Sequence, residues 1–126
     1  MKTTVSRKDA AVSFLRQVVA GRIREAYKEF IDPDFWHHNP YFRGDRKSLM
    51  AAMEENQGAY PDKILEVERV LEDGDLVAVH SHICMNSDDR GRSVVHICRF
   101  EGDKIVEMWD IGQEIPADSP NENGAF

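Results

Sequence analysis

Four places along the chain hold side chains that can move protons. The stretch FWHHNPYFRG, residues 35–44, crowds His37 and His38 between aromatic residues, HSH sets His80 and His82 two positions apart, and His96 and Asp110 follow. Imidazole and carboxylate together are frequent carriers of general acid–base catalysis. Apolar surroundings favour the neutral form of an acid, which brings a carboxyl group closer to histidine in proton affinity. Three imidazoles on adjacent strands would also suit a zinc ion that keeps one position for water. Two cysteines, Cys84 and Cys98, are too few for a disulfide framework and are expected as free thiols.

Whether these groups meet depends on the elements that carry them. Ser6, with Asp9 three positions on, opens a helix in which Val12, Leu15, Val18 and Val19 recur at helical spacing, and Gly21 stops it. Ile23, Ala26, Tyr27, Phe30 and Ile31 repeat that period up to Pro33. Asp45 caps a third helix that shows Leu49, Ala52 and Met53 on one face and closes at Gly58 and Pro61. From Ile64 the pattern changes to β-branched runs, 64–71, 76–85, 93–100 and 105–113, separated by the turn sequences EDGD, NSDDRGR and EGDK. Helices followed by an antiparallel meander make an α+β domain.

Strand alternation then sorts the side chains. A turn centred on Asp89 sets His82 opposite His96 and His80 opposite Cys98. A three-residue loop pairing Phe100 with Lys104 sets His96 opposite Met108 and Val94 opposite Asp110, whereas a two-residue Gly-Asp loop would bring His96 beside Trp109. In the first register one face carries His80, His82, His96 and Asp110 among Ala78, Cys84, Cys98, Val106 and Met108. The opposite face, with Val77, Val79, Val95, Ile97, Trp109 and Ile111, is too apolar for water, and a second copy of the chain is expected to cover it.

Composition bounds the rest. A chain of 126 residues with 41% hydrophobic and 31% charged residues fits one globular domain, 1–126, with an irregular tail at 115–126. No apolar run is long enough to span a membrane, and the first residues do not read as a signal peptide, so the cytoplasm is the expected location. A formal net charge of −7 repels phosphate backbones and argues against nucleic acid as a partner.

The stretches WHHNPYFRG, GDLVAVHSHI and GDKIVEMWDIGQEIP, with NENGAF behind them, resemble the SnoaL-like polyketide cyclases of the nuclear transport factor 2-like superfamily over nearly the whole chain. This resemblance implies a cone-shaped α+β barrel, in which three helices close a strongly curved antiparallel sheet over a deep pocket. It implies a cofactor-independent cyclase, isomerase or related enzyme acting on a small apolar carbonyl compound, without metal. Asp110 corresponds to the carboxylate that such cyclases use as general acid/base in an intramolecular aldol closure. His38 corresponds to the histidine of the HNP stretch, facing the pocket mouth, with His37 directed outward. His96 and Met108 depart from the family, which commonly has Asp and His there, and His96 across the strand is expected to replace the imidazole missing at Met108. Trp36, Tyr41, His80, His82, Cys98 and Met108 are the expected substrate-binding wall. Two other readings stay open at this level: a binding or assembly module of the same fold, and a metal site of His80, His82 and His96.

Overall fold

The structure, a computed structural model, describes residues 5–126. Ser6 caps α1 (Arg7–Val19), its side chain accepting the Asp9 N–H at 3.1 Å. Asp45 caps α3 (Arg46–Ala59) in the same way, accepting the Ser48 N–H at 3.0 Å. Both caps satisfy helix N–H groups that lack intrahelical partners, as the sequence pattern predicts. Between them α2 (Ile23–Phe30) stops three residues before Pro33, and β1 (Ile31–His37) begins at once. Proline disfavours helical backbone at the residue before it and has no N–H to give, so an edge strand is where it fits. The predicted helix through Ile31 is corrected accordingly. No helix among the described residues is long and apolar enough to cross a membrane.

The remaining strands are β2 (Ile64–Asp73), β3 (Leu76–Cys84), β4 (Arg92–Glu101) and β5 (Lys104–Glu114). They form one sheet in the order β1-β5-β4-β3-β2, antiparallel throughout except that β1 runs parallel to β5. The three helices cover its inner face. Phe14, Tyr27, Phe30 and Phe35 pack edge to face, with Phe14–Tyr27 centroids at 5.5 Å and Tyr27–Phe35 at 6.4 Å, and Val77, Val79, Cys98, Phe100, Ile105 and Met108 close the core beneath them. Such rings are held by their quadrupoles as well as by area burial.

Register departs from the expectation in both hairpins. On β3 and β4, His82 faces Ser93, His80 faces Val95, and Val79 faces His96. His82 therefore meets a residue three positions earlier on β4 than expected, and an odd shift exchanges the two faces. The cause lies in the turn: Asn86 accepts the Asp88 N–H, Asp89 accepts the Met85 N–H, and Gly91 at φ +81° lies against Ile83. These contacts set the pairing. His80, His82, Ala78 and Cys84 thus leave the predicted face, and Val77 and Val79 are in the core, not outside.

At the last hairpin neither expected register holds. The loop is the two-residue Gly102-Asp103 turn, with Gly102 at φ +61°, as a tight hairpin turn of this kind requires. Val106 then stands unpaired as a bulge, because Phe100 pairs with Ile105 but Arg99 pairs with Glu107. Beyond it Cys98 faces Met108 and His96 faces Asp110. His96 and Asp110 do share a face, as predicted.

Gly91→Ala tests the turn. Its added Cβ would lie 2.5 Å from the Ile83 carbonyl oxygen and 2.7 Å from Cys84 Sγ, whereas a Cβ at Gly102 meets nothing within 4 Å. Both positions carry left-handed backbone, which costs a non-glycine residue about 1–2 kcal/mol, so Gly102→Ala should lose about that much in urea unfolding and Gly91→Ala distinctly more.

Candidate active site

Asp110 lies on the inner face of β5 near its open end, and the loop that follows β1 reaches over it. His37 pairs with Met108, so its side chain points inward and is buried, while His38 crosses to the outer side. His37 is thus buried and not directed outward, because of the parallel β1–β5 pairing, while His38 leans to the outer side and still reaches the cavity rim. His37 Nδ1 accepts the Asn39 N–H at 3.0 Å, which leaves the proton on Nε2 to be donated to the Arg43 carbonyl at 2.6 Å. Both ring nitrogens are spent on shaping the loop. His38 stacks on Trp109 with centroids 4.9 Å apart and planes at 11°, and its Nε2 lies 2.7 Å from a Glu107 carboxylate oxygen.

Asn39 makes the contact that matters most. Its Nδ2 donates to Asp110 Oδ2 at 2.9 Å, while its Oδ1 accepts the Tyr41 N–H at 3.0 Å. The other oxygen of Asp110, Oδ1, lies 3.6 Å from His96 Nε2. The site is thus Asn39, Asp110 and His96 in a row. Side-chain exposure differs between them, at 27% for Asp110 and 8% for His96. A cavity of about 540 Å³ opens over Asn39 and Asp110, lined also by His38, Tyr41, Arg92 and Gly112 among others, with His96 behind Asp110. Asp110 is the carboxylate in that wall. A larger depression of about 740 Å³, near Arg7, Phe30 and Lys104 at the other end of β5, contains none of the predicted site residues.

Electrostatics follow from burial. Desolvation holds His96 below its ordinary pKa, with the Asp110 charge opposing, so the imidazole is neutral at pH 7. With its proton on Nε2 toward Asp110, the ring leaves Nδ1 as a bare acceptor, and this buried atom has no partner among the described residues. Ser81 Oγ is buried on the same inner face, likewise without a partner. Burial tends to raise Glu107, but hydrogen bonds from His38 and Arg99 outweigh it and hold the carboxyl below its ordinary value. Cys98 is buried and its thiol is pushed up to about 12 by desolvation, which removes it as a nucleophile.

Of the predicted residues, the structure brings together Asp110, His96, His38 and Tyr41. Met108 and Cys98 lie under the site within the core, closed off from the cavity. Trp36 is half exposed at the outer side, against His38. His80 and His82 are on the outer face, so the three-imidazole metal arrangement with His96 does not form. His80 instead contacts Arg69 and Ser93, and His82 donates to the Arg90 carbonyl at 2.7 Å. The outer face does bring His82 near the exposed carboxylates Glu66 and Glu68. Two further cavity-lining residues, Asn39 and Arg92, are not among the predicted site residues. Asn39 sits in the loop of the HNP stretch and Arg92 at the first position of β4, and neither belongs to a hydrophobic period that would single it out.

Helices against one face of a curved five-stranded sheet, with a polar cluster at the open end, define the NTF2-like class. Solved structures agree. An NTF2-like protein of unknown function from Cytophaga hutchinsonii superposes with a TM-score of 0.73 at 18% identity, covering 90% of this chain and 95% of that one. A proposed polyketide cyclase from Acidithiobacillus ferrooxidans gives 0.71 at 20% identity, covering 90% and 92%. Wild-type IdmH from Streptomyces antibioticus, also a proposed polyketide cyclase, gives 0.68 at 21% identity, covering 86% and 93%. Among curated proteins none matches the sequence significantly. The model of the family described as SnoaL-like polyketide cyclase matches residues 9–118, and the chain belongs to that family.

The depressed His96 pKa has a consequence for stability. Because the folded state resists protonating His96, the unfolded chain takes up the proton first; this contribution is intact above the unfolded pKa near 6.5 and is lost as pH falls below it. Urea midpoints of the wild type should therefore drop between pH 8 and pH 5.5, and His96→Gln should flatten that drop.

Proposed function

We propose that the chain is a cofactor-independent enzyme that transfers a proton to and from carbon beside a carbonyl group, in an aldol-type cyclisation, an isomerisation or a related reaction of a small apolar carbonyl compound. The family membership supports small-molecule cyclase or isomerase chemistry in general, and one observation carries the finer reading: the cavity wall presents Asp110 with Oδ2 held by Asn39 and Oδ1 facing His96 at 3.6 Å. Asp110 takes the α-proton, the electron pair moves into the carbonyl as an enolate, and the enolate carbon attacks a second carbonyl. The proton then passes from Asp110 to the new alkoxide oxygen, so the carboxylate is regenerated and no external reductant or oxidant enters. Asn39 and His96 are positioning residues. They fix the carboxylate plane, and the neutral imidazole tolerates both charge states of its neighbour.

Deuteration of 2-tetralone in D2O, followed by proton NMR, tests this. The wild type should accelerate loss of the α-proton signal, and Asp110→Asn should remove about 10²- to 10⁴-fold of that rate while moving the melting temperature by no more than about 4 °C. Binding of 2-tetralone with deuteration at the buffer rate would make the protein a binding module instead.

The outer sheet face supports a further part of the reading, a homodimer. Val95, Ile97, Trp109 and Ile111 line it, and Ile111 is 55% exposed. Apolar area left in water costs roughly 25 cal/mol per Å². Sedimentation velocity at micromolar concentration should give twice the chain mass, and Ile97→Glu should give the monomer.

A further inference from the structure

We propose that Arg92 determines substrate specificity, and that the carbonyl compound bound at the site, apolar over the rest of its frame, carries one anionic group, a carboxylate, which Arg92 holds at the cavity mouth. This deepens the reading of Asp110 as the proton carrier and rests on it.

Arg92 opens β4 on the inner face, with Val94 and His96 following on the same side. Its guanidinium lies across Gly112: a Cβ built there would come within 3.1 Å of Nη2, 3.5 Å of Nε and 3.7 Å of Cζ. Gly112 is two residues from Asp110 on the same face of β5, one pleat or about 7 Å along the strand. The absence of a side chain at Gly112 leaves room for the guanidinium to lie close against β5 beside the carboxylate. Arg92, Asp110 and Gly112 all line the same cavity.

The cation has nothing to hold. Among the described residues Arg92 makes no side-chain hydrogen bond and no ion pair, even though Glu114 is its cross-strand neighbour. Several arginines of this chain are engaged, Arg7 with the Gly74 and Gly102 carbonyls, Arg24 with Glu54 and Arg99 with Glu107; Arg16, Arg22 and Arg43 are not, among the described residues, but unlike Arg92 they do not line the Asp110 cavity. A half-buried guanidinium presents five N–H donors in a fork that matches a carboxylate in two-point fashion. In a chain of net charge −7, one unengaged cation beside the proton carrier also offsets the repulsion that an anionic substrate would meet from Asp110 and Glu114. Fixing one end of the substrate at Arg92 places a carbonyl-bearing carbon about one pleat inward, over Asp110.

The probes are 2-naphthoate and its uncharged methyl ester, titrated by NMR against wild type, Arg92→Gln and Arg92→Lys, with circular dichroism as the check of fold. The wild type should prefer the anion by about tenfold or more, the weight of a charge-assisted hydrogen-bond pair. Arg92→Gln should abolish the preference, and Arg92→Lys should keep part of it, a readout that stays available if the Gln variant does not fold. Equal wild-type affinities for acid and ester, or a preference that survives in Arg92→Gln, overturns the proposal. Deuteration of 2-tetralone, which bears no anion, reads the proton-transfer step separately. Its failure with an Arg92-dependent preference intact would sink the Asp110 reading and leave the anion site standing.

Discussion

Val106 has no partner on β4, and this one extra residue turns the remainder of β5 by one side chain relative to what its tight Gly102-Asp103 loop alone would give. Without the bulge, Trp109 would face the core and Asp110 the outside of the sheet. With it, Asp110 comes to lie across from His96, Met108 packs under the helices, and Trp109 goes outward to meet His38. The site, the core and the outer face all depend on that count.

Much of the architecture was legible because it rests on local chemistry. The caps at Ser6 and Asp45, the stop at Gly21 and the four β-branched runs are each decided within a few residues, and they appear where the pattern puts them. Face assignment was less legible, since it depends on loop geometry. The β3–β4 turn is set by side-chain acceptors at Asn86 and Asp89, which no hydrophobic period reveals, and an odd error there sent His80 and His82 to the wrong side. The last hairpin erred by an even number, so His96 and Asp110 stayed together although the predicted partners were wrong. β1 was missed because Ile31 completes a helical period just before proline takes the chain out of it. Its parallel pairing, a non-local event, is what turned His37 inward.

Polar residues in this cone are graded by depth. Ser81 and His96 are buried with unpartnered atoms, Asp110 and Asn39 bond to each other at the rim, and Arg92 lies outermost over Gly112. Low dielectric strengthens interactions at the deep end and solvent weakens them at the mouth, so attraction over distance suits the outer position and accurate placement the inner ones. A neutral imidazole behind the carboxylate fits that gradient, because a second charge at that depth would need a partner that the core does not supply.

His38 and Asn39 are consecutive, yet they serve opposite sides of β5: one ring lies flat on Trp109 outside, the other side chain holds the Asp110 carboxylate inside. A single peptide unit therefore joins the two surfaces in series, with no flexible spacer between them. Any body that settles on the Trp109 side loads the same short lever that sets the carboxylate plane, and any molecule that fills the cavity loads it from the other end. Thermodynamic linkage is reciprocal, so a ligand in the cavity that shifted Asn39 and a body outside that shifted His38 would each act on the peptide unit the other uses.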